Sequence, residues 1–94
     1  MAQGADTEPR KAASQTRSRA TVDLIIEATA RILMRDGFDR AGTNRIAREA
    51  GVSIGSLYQY FPTKEAVVAA VIDRHMEELM TVFRDALVEV ADRP

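Results

Sequence analysis

The side chains best suited to chemistry lie between Thr43 and Lys64, where hydroxyl, amide and phenol groups come close together in the sequence. Those predicted to face outward are Ser56, Tyr58, Gln59 and, as an alternative to packing in the core, Tyr60. Groups of this kind form hydrogen bonds with phosphate oxygens and with base edges. They indicate contact with a nucleic acid, provided that rigid elements present them together.

Two short helices joined by a glycine turn are predicted to position these groups. Ile46, Ala47 and Ala50 recur at helical spacing and predict a short amphipathic helix with one buried side. Gly51 follows, and glycine enters the left-handed backbone region without the steric cost of a Cβ atom. The chain is therefore expected to turn sharply at Gly51.

The second short helix is predicted to begin after Ser53, whose hydroxyl can accept the backbone N–H of Ser56. Leu57 and Phe61 lie four residues apart and are expected to bury one face, and Pro62 ends the helix. Helix, turn and helix within about twenty residues form a helix-turn-helix, a unit that reads DNA.

A longer helix is predicted before this unit, from about Thr21 to Asp36, and Gly37 is expected to end it. Its inner face is predicted to consist of Val22, Ile26, Thr29, Ala30 and Leu33, with Ile25 and Ile32 beside them. This helix would hold the two short helices at a fixed angle.

Residues 1–19 lack apolar periodicity and are predicted to form a flexible arm. Its basic residues are Arg10, Lys11, Arg17 and Arg19. Two interpretations stay open. The arm contacts phosphates or the minor groove, or it is a solvated tail.

A fourth helix is predicted to begin with Thr63 as its cap and Glu65 in its first turn, where a carboxylate suits the helix dipole. Its apolar residues alternate three and four apart and are Val68, Ile72, Met76, Leu79, Phe83, Ala86 and Val90. This stripe is longer than the core that it could cover. From Leu79 onward it is expected to protrude and to need a partner.

The composition narrows the possible functions. With 94 residues the chain forms one small domain at most, and the absence of cysteine excludes disulfides, thiolate metal sites and thiol catalysis. His75 is the only histidine, and the sequence has no glycine-rich phosphate loop, metal-ligand spacing or carboxylate pair. We therefore expect that the chain is not an enzyme and has no catalytic residues, no metal site and no cofactor.

No apolar run approaches the roughly 20 residues that span a bilayer, and the N-terminus lacks the apolar core of a signal peptide. A cytoplasmic location, at the nucleoid when bound to DNA, is expected. The net charge of −1 is unevenly divided, since residues 1–64 hold ten Lys/Arg against seven Asp/Glu and residues 65–94 hold three against seven. The basic excess thus lies with the N-terminal tail and the helix-turn-helix, where it can face phosphates.

Several short motifs follow one another in a fixed order: Ile25-Ile26-Glu27-Ala28, Gly37-Phe38, Asn44-Arg45-Ile46-Ala47, Ala50-Gly51-Val52-Ser53, Gly55-Ser56-Leu57-Tyr58 and Tyr60-Phe61-Pro62-Thr63-Lys64-Glu65. On these motifs the chain closely resembles the N-terminal DNA-binding domain of TetR-type (tetracycline-repressor-like) bacterial transcription regulators, over about Thr21 to Arg74. The resemblance implies an all-α fold, a homeodomain-like three-helix bundle with a helix-turn-helix, followed by a long fourth helix.

The resemblance also implies a domain organisation. Residues 20–80 would form the DNA-binding domain, with the helix-turn-helix at about 42–61, and residues 81–94 would end the fourth helix. Family members continue into a second helical domain that holds an effector pocket and a dimer interface. We therefore expect this chain to be a fragment of a longer regulator rather than a naturally short protein.

By the same resemblance, the second helix starts against the DNA backbone and the third lies in the major groove. The residues expected to contact DNA are Thr43, Asn44, Arg45, Ser53, Ile54, Gly55, Ser56, Tyr58, Gln59, Tyr60 and Lys64. Ile54, Gly55, Ser56 and Tyr58 would lie closest to bases, and Lys64 would clamp the backbone. Since Ile54 can contact only a thymine methyl or a sugar, DNA shape is expected to carry part of the specificity.

Besides Tyr60, two of these residues have alternatives that stay open. Asn44 either reads an adenine or caps the first turn of its helix. Arg45 contacts a phosphate or pairs with Glu49 four residues on. The family usually has Thr or Ser at the two positions before Thr43, where this chain has Ala41 and Gly42. Some contacts with the DNA backbone, or some capping of the helix, are therefore expected to be missing.

The implied partners are double-stranded DNA, a second copy in the full-length protein, and a small-molecule effector if a C-terminal domain exists, with no membrane. Family members act as dimers on near-palindromic operators, commonly as repressors. The rival hypothesis is a small helical protein-interaction or dimerisation module that uses the apolar stripe of the fourth helix.

Overall fold

The computed structural model describes residues 2–92, with side chains from residue 15 onward. The elements are α1 (Ala2–Asp36), a short 3₁₀ helix (Phe38–Arg40), α2 (Thr43–Ala50), α3 (Ile54–Tyr60) and α4 (Lys64–Ala91). α1 packs against α2 and α4, and α2 packs against α3. The predicted all-α fold, a helix-turn-helix bundle followed by a long fourth helix, is confirmed.

α1 is longer than the sequence pattern indicated, because it begins at Ala2 rather than near Thr21. Residues 2–20 are rich in alanine, arginine and glutamine, which favour helix. Extending an existing helix costs far less than nucleating one, so α1 extends toward the N-terminus from the segment that packs on the other helices. The side chains of Arg10 and Lys11 lie outside the described residues, while Arg17 and Arg19 are exposed. The flexibility of this segment and its contact with DNA stay predictions.

The core is formed where α1, α2, α3 and the first turns of α4 meet. The most deeply buried apolar side chains are Ile25, Ala28, Ile32, Ala41, Ile46, Ala47, Leu57 and Val67. The predicted burial of Ile46, Ala47 and Ala50 on one side of α2 is confirmed. Leu57 is fully buried, and Phe61 packs against this cluster while partly exposed.

The buried face of α1 is rotated from the predicted one. Its centre is formed by Ile25, Ala28, Thr29 and Ile32. Val22, Ala30 and Leu33, which the periodicity placed at the centre, are only partly buried. Buried Thr29 donates its hydroxyl hydrogen to the carbonyl of Ile25 at 2.7 Å, so this polar group keeps a partner inside the core.

Local signals at the helix ends were predicted correctly. Gly37 follows α1 with φ 87°, and its N–H donates to the carbonyl of Leu33 at 3.1 Å. Thr63 caps α4 by accepting the N–H of Ala66 at 3.1 Å. Both residues end or begin a helix with a hydrogen bond that satisfies a terminal backbone group.

α4 runs unbroken, but it leaves the core sooner than predicted. Val67, which was not part of the predicted stripe, is the one fully buried residue among those described in α4. Ile72 is already 55% exposed, so protrusion begins before Leu79. Every side chain from His75 to Ala91 is exposed, and we call this part of α4 the distal segment. None of the described helices is both long and apolar enough to cross a membrane.

Candidate nucleic-acid interface

The turn between α2 and α3 has the geometry predicted for it. Gly51 ends α2 with φ 73° and ψ 29°, in the left-handed region. Its N–H donates toward the carbonyls of Ala47 and Arg48, and the N–H of Val52 donates to Ala47 at 3.0 Å. These bonds satisfy the last carbonyls of α2 and fix the direction in which α3 leaves the turn.

α3 begins at a serine cap, also as predicted. The Ser53 hydroxyl oxygen accepts the backbone N–H of Ser56 at 3.0 Å, and the hydroxyl donates to Ser56 Oγ at 2.9 Å. Burial of Leu57 on the inner side turns the opposite face of α3 outward. The exposed residues on that face are Ile54, Gly55, Tyr58 and Gln59.

Thr43 and Tyr58 connect the two helices of the unit at the surface. Their hydroxyl oxygens lie 2.8 Å apart in a hydrogen bond between the first residue of α2 and the middle of α3. Gly42 is the N-cap of α2 and offers no side chain, so no side-chain cap bond is formed there. The first N–H groups of α2 therefore lie beside the hydroxyl pair, an arrangement suited to an anion.

The outer face of α2 carries Asn44 and Arg48, four residues apart and both exposed. Because Gly42 is the cap, Asn44 does not fill the capping role that was one of its two alternatives. Arg48 was missed in the sequence. Arg48 follows Asn44 by four residues, and this spacing alone indicates that the two side chains share one face of α2.

Arg45 does not pair with Glu49, so that predicted alternative is wrong. Its guanidinium instead donates to the carboxylate of Asp36 and, at 3.3 Å, to the carbonyl of Arg40. Glu49 accepts from Arg35 at 3.1 Å. The end of α1 and the 3₁₀ helix supply these partners, and a rule based on spacing along one helix cannot anticipate them.

Together these side chains form a charge cluster at the junction of α1 and α2. Its members are Arg31, Arg35, Asp36, Arg45 and Glu49. The hydrogen bond from Arg45 is the main reason that the pKa of Asp36 lies below its ordinary value. The hydrogen bond from Arg35 lowers the pKa of Glu49 in the same way. Both carboxylates thus stay ionised at neutral pH and hold α2 against the end of α1.

Tyr60 and Lys64 are engaged in contacts within the chain. Tyr60 packs against the core and donates its hydroxyl hydrogen to Ser18 at 3.1 Å, which is the packing alternative considered for it. The ammonium of Lys64 lies 3.9 Å from the centroid of the Phe38 ring. Among the residues expected to contact DNA, Arg45 and Tyr60 make partly buried side-chain hydrogen bonds, to Asp36 and to Ser18.

Comparison with known proteins agrees with this geometry. The sequence model of the family described as "Bacterial regulatory proteins, tetR family" matches residues 25–71, which is half of the chain. The matched part runs from the buried centre of α1 through the helix-turn-helix into α4. It contains all of the surface described above.

Three curated proteins illustrate the similarity. The HTH-type transcriptional regulator UidR of Escherichia coli is 32% identical over 73 residues, 78% of this chain and 37% of that protein. The nucleoid occlusion factor SlmA of Actinobacillus pleuropneumoniae is 43% identical over 51 residues, 54% of this chain and 25% of that protein. The HTH-type transcriptional activator FasR of Mycolicibacterium smegmatis is 35% identical over 68 residues, 72% of this chain and 31% of that protein.

The chain thus spans between a quarter and 37% of the length of these relatives. The family match and the observed helix-turn-helix lead to one conclusion. The chain belongs to the TetR family of bacterial regulatory proteins and carries the helix-turn-helix of a DNA-binding transcription regulator.

Proposed function

We propose that this chain recognises a specific DNA sequence by placing α3 in the major groove, and that it regulates transcription without catalysing a reaction. The observation that carries the proposal is the exposed face of α3, which the buried Leu57 turns outward beside the first turn of α2. A short helix supported in this way is the reading element of helix-turn-helix proteins.

Phosphate contacts are proposed for the surface where α2 and α3 meet. Thr43 and Tyr58 share a hydrogen bond at 2.8 Å, in which one hydroxyl donates and the other keeps its hydrogen for a phosphate oxygen. The N–H groups at the start of α2 add donors, and the positive end of the helix dipole favours an anion. Arg48 supplies a positive charge on the neighbouring face of α2.

Base contacts are proposed for exposed amide and apolar groups. Asn44 and Gln59 carry amides that can bond adenine on two atoms. At Gly55 a Cβ atom would meet only the Ser53 hydroxyl, at 3.9 Å, so the space outside the helix is open to an approaching duplex. Ile54, which is 37% exposed, offers a thymine methyl an apolar contact.

We further propose that the regulator acts as a dimer on a near-palindromic operator and represses transcription there. Two copies of α3 would then enter successive major grooves, about 34–36 Å apart or a multiple of this distance. One relative carries the name of an activator, so repression is tested separately from binding. An effector that changes the spacing of the two copies would release the DNA.

Selection of bound duplexes from a random library at near-physiological salt tests sequence recognition directly. We expect enrichment of a motif whose symmetry reports whether one or two copies bind. The matched control replaces both amides (Asn44→Ala with Gln59→Ala) and is expected to lose the motif. Enrichment of the same motif by this variant, or of none by the unchanged chain, would contradict the proposal. A reporter gene downstream of the selected motif then gives the sign of regulation.

A second candidate function rests on the distal segment. Phe83 is 57% exposed and Leu87 is 68% exposed, although both lie on the apolar side of α4. Such a surface suits a protein-interaction or dimerisation module. Sedimentation velocity without DNA distinguishes the two candidates. Stable self-association by a chain that enriches no DNA motif would favour the interaction module.

A further inference from the structure

Burial alone does not explain why position 38 holds an aromatic residue. It follows Gly37 in the short 3₁₀ helix, and its side chain is 47% exposed. The partly buried side chains that pack on the core are Leu33, Val52, Tyr60 and Phe61. Because about half of a large apolar ring remains in contact with solvent, core packing gives this position only part of the free energy that an aromatic residue can contribute.

The ring of Phe38 instead faces a cation. The Nζ atom of Lys64 lies 3.9 Å from the ring centroid, well within the roughly 6 Å over which a cation is attracted to an aromatic face. Lys64 is the first residue of α4, directly after the Thr63 cap, so its backbone is fixed. Its four-carbon side chain would otherwise sample many rotamers.

A cation held in this way is still able to bind an anion. The ammonium has three N–H donors, and the ring occupies one side of it. The remaining donors stay available to a phosphate oxygen. Since the side chain is ordered before DNA arrives, less conformational entropy is lost when the contact forms.

We propose that Phe38 is a positioning residue for DNA binding. Its ring holds the Lys64 ammonium at the point where it meets a backbone phosphate, while Phe38 itself does not touch DNA. The inference rests on the proposed function, and within that function it assigns a role to an aromatic residue outside the two helices of the helix-turn-helix.

A double-mutant cycle tests the role. The unchanged chain, Phe38→Leu, Lys64→Ala and the double variant are titrated with a mixed-sequence duplex of about three helical turns, at salt concentrations from about 50 to about 200 mM. Lys64→Ala is expected to weaken binding to all sequences alike and to lower the salt slope by about 1. Phe38→Leu is expected to weaken binding about two- to fivefold when Lys64 is present, and to change nothing when Lys64 is absent.

Two further variants separate positioning from folding. Phe38→Tyr keeps an aromatic face and is expected to keep the affinity of the unchanged chain. Phe83→Leu makes the same chemical change on the distal segment, at a similarly exposed ring, and is expected to leave DNA binding unaltered. Thermal unfolding of each variant shows which of them remain folded at the titration temperature.

Two features of the Phe38→Leu result test the inference: whether DNA binding becomes weaker or stronger, and whether the change requires Lys64. Equal losses with and without Lys64 would show a merely structural ring, and stronger binding would show that the ring competes with phosphate for the ammonium. Either result overturns the inference while the proposed function stands. If the unchanged chain binds no duplex even at the lowest salt, the proposed function fails and the inference fails with it.

Discussion

The helix-turn-helix and the distal segment of α4 share one sequence pattern and have opposite environments. Both place apolar residues three and four apart along a helix. In the first, Ile46 and Leu57 are fully buried, and hydrogen bonds fix the turn between the helices. In the second, every side chain is exposed. Periodicity therefore shows which side of a helix is apolar, and tertiary packing decides whether anything covers it.

The same comparison separates two sources of function. The polar groups of the helix-turn-helix are held by contacts between elements, such as the hydrogen bond that joins Thr43 to Tyr58. Such contacts fix the geometry that a duplex must match. The distal segment offers apolar area without a fixed partner, so its contribution depends on what packs against it.

The largest expected effect on stability comes from removing a buried side chain in the helix-turn-helix. Ile46→Ala deletes a fully buried side chain and should lower the free energy of unfolding by about 2–5 kcal/mol. The matched change on the distal segment, Leu87→Ala, should stay within about 0.5 kcal/mol. Urea unfolding followed by circular dichroism measures both. Similar losses for the two variants would contradict the difference between the regions.

The turn is expected to be the next most sensitive point. Gly51→Val forces a side chain into the left-handed backbone region, which should destabilise the fold by about 1–2 kcal/mol or more. A Cβ atom at Gly51 meets nothing within 4 Å, so the cost arises from the backbone conformation alone. Gly42→Ala is the control, since Gly42 has an ordinary φ of −68° and equally open surroundings. Equal thermal midpoints for the two variants would refute this account of the turn.

Two tyrosines in α3 sharpen the comparison within the binding region. Tyr58→Phe removes an exposed hydroxyl proposed to bond a phosphate, and should weaken DNA binding about two- to tenfold. It also removes the exposed hydrogen bond to Thr43, so only a small loss of stability is expected. Tyr60→Phe removes the hydroxyl that donates to Ser18, and should lower stability with DNA affinity preserved. Titration of the selected duplex together with thermal unfolding distinguishes them. The opposite assignment of the two effects would show that Tyr60 is the phosphate ligand.

The smallest expected effect is on the charge cluster, because its members are exposed or partly exposed and ion pairs near the surface contribute little. The folded chain holds the pKa values of Asp36 and Glu49 below their ordinary range, so the unfolded chain binds more protons. The cluster thus stabilises the fold above about pH 4 and loses this effect as the pH falls through the lowered values. Tm is to be measured from about pH 7 to about pH 3, where a variant with Asp36→Asn and Glu49→Gln should lose less on acidification. An equal loss of Tm in the variant and in the unchanged chain would show that the charge cluster does not stabilise the fold.

Features set by neighbouring residues were predictable from the sequence. Gly51, Ser53 and Thr63 each act within one helical turn, and each has its predicted geometry. The apolar residues of α2 were likewise placed correctly, because one short helix has only one side to bury.

Features that need distant parts of the chain were not predictable in the same way. Ala41 was predicted only to lack a hydroxyl that could contact DNA, yet it is fully buried in the core, among residues from several helices. Arg45 turns to Asp36 rather than to Glu49, since folding brings the end of α1 closer than the next turn of α2. The contact between Lys64 and Phe38 also joins separate elements, and no local rule encodes it.

The most direct test of the central claim follows backbone amide signals by NMR while the selected duplex is titrated into the labelled chain. We expect the large shifts to fall between residues 42 and 64, with signals of the distal segment unchanged. This result would place DNA on the face built by α2 and α3. Shifts concentrated along the distal segment, or none in α3, would contradict the claim that the helix-turn-helix is the DNA-reading surface.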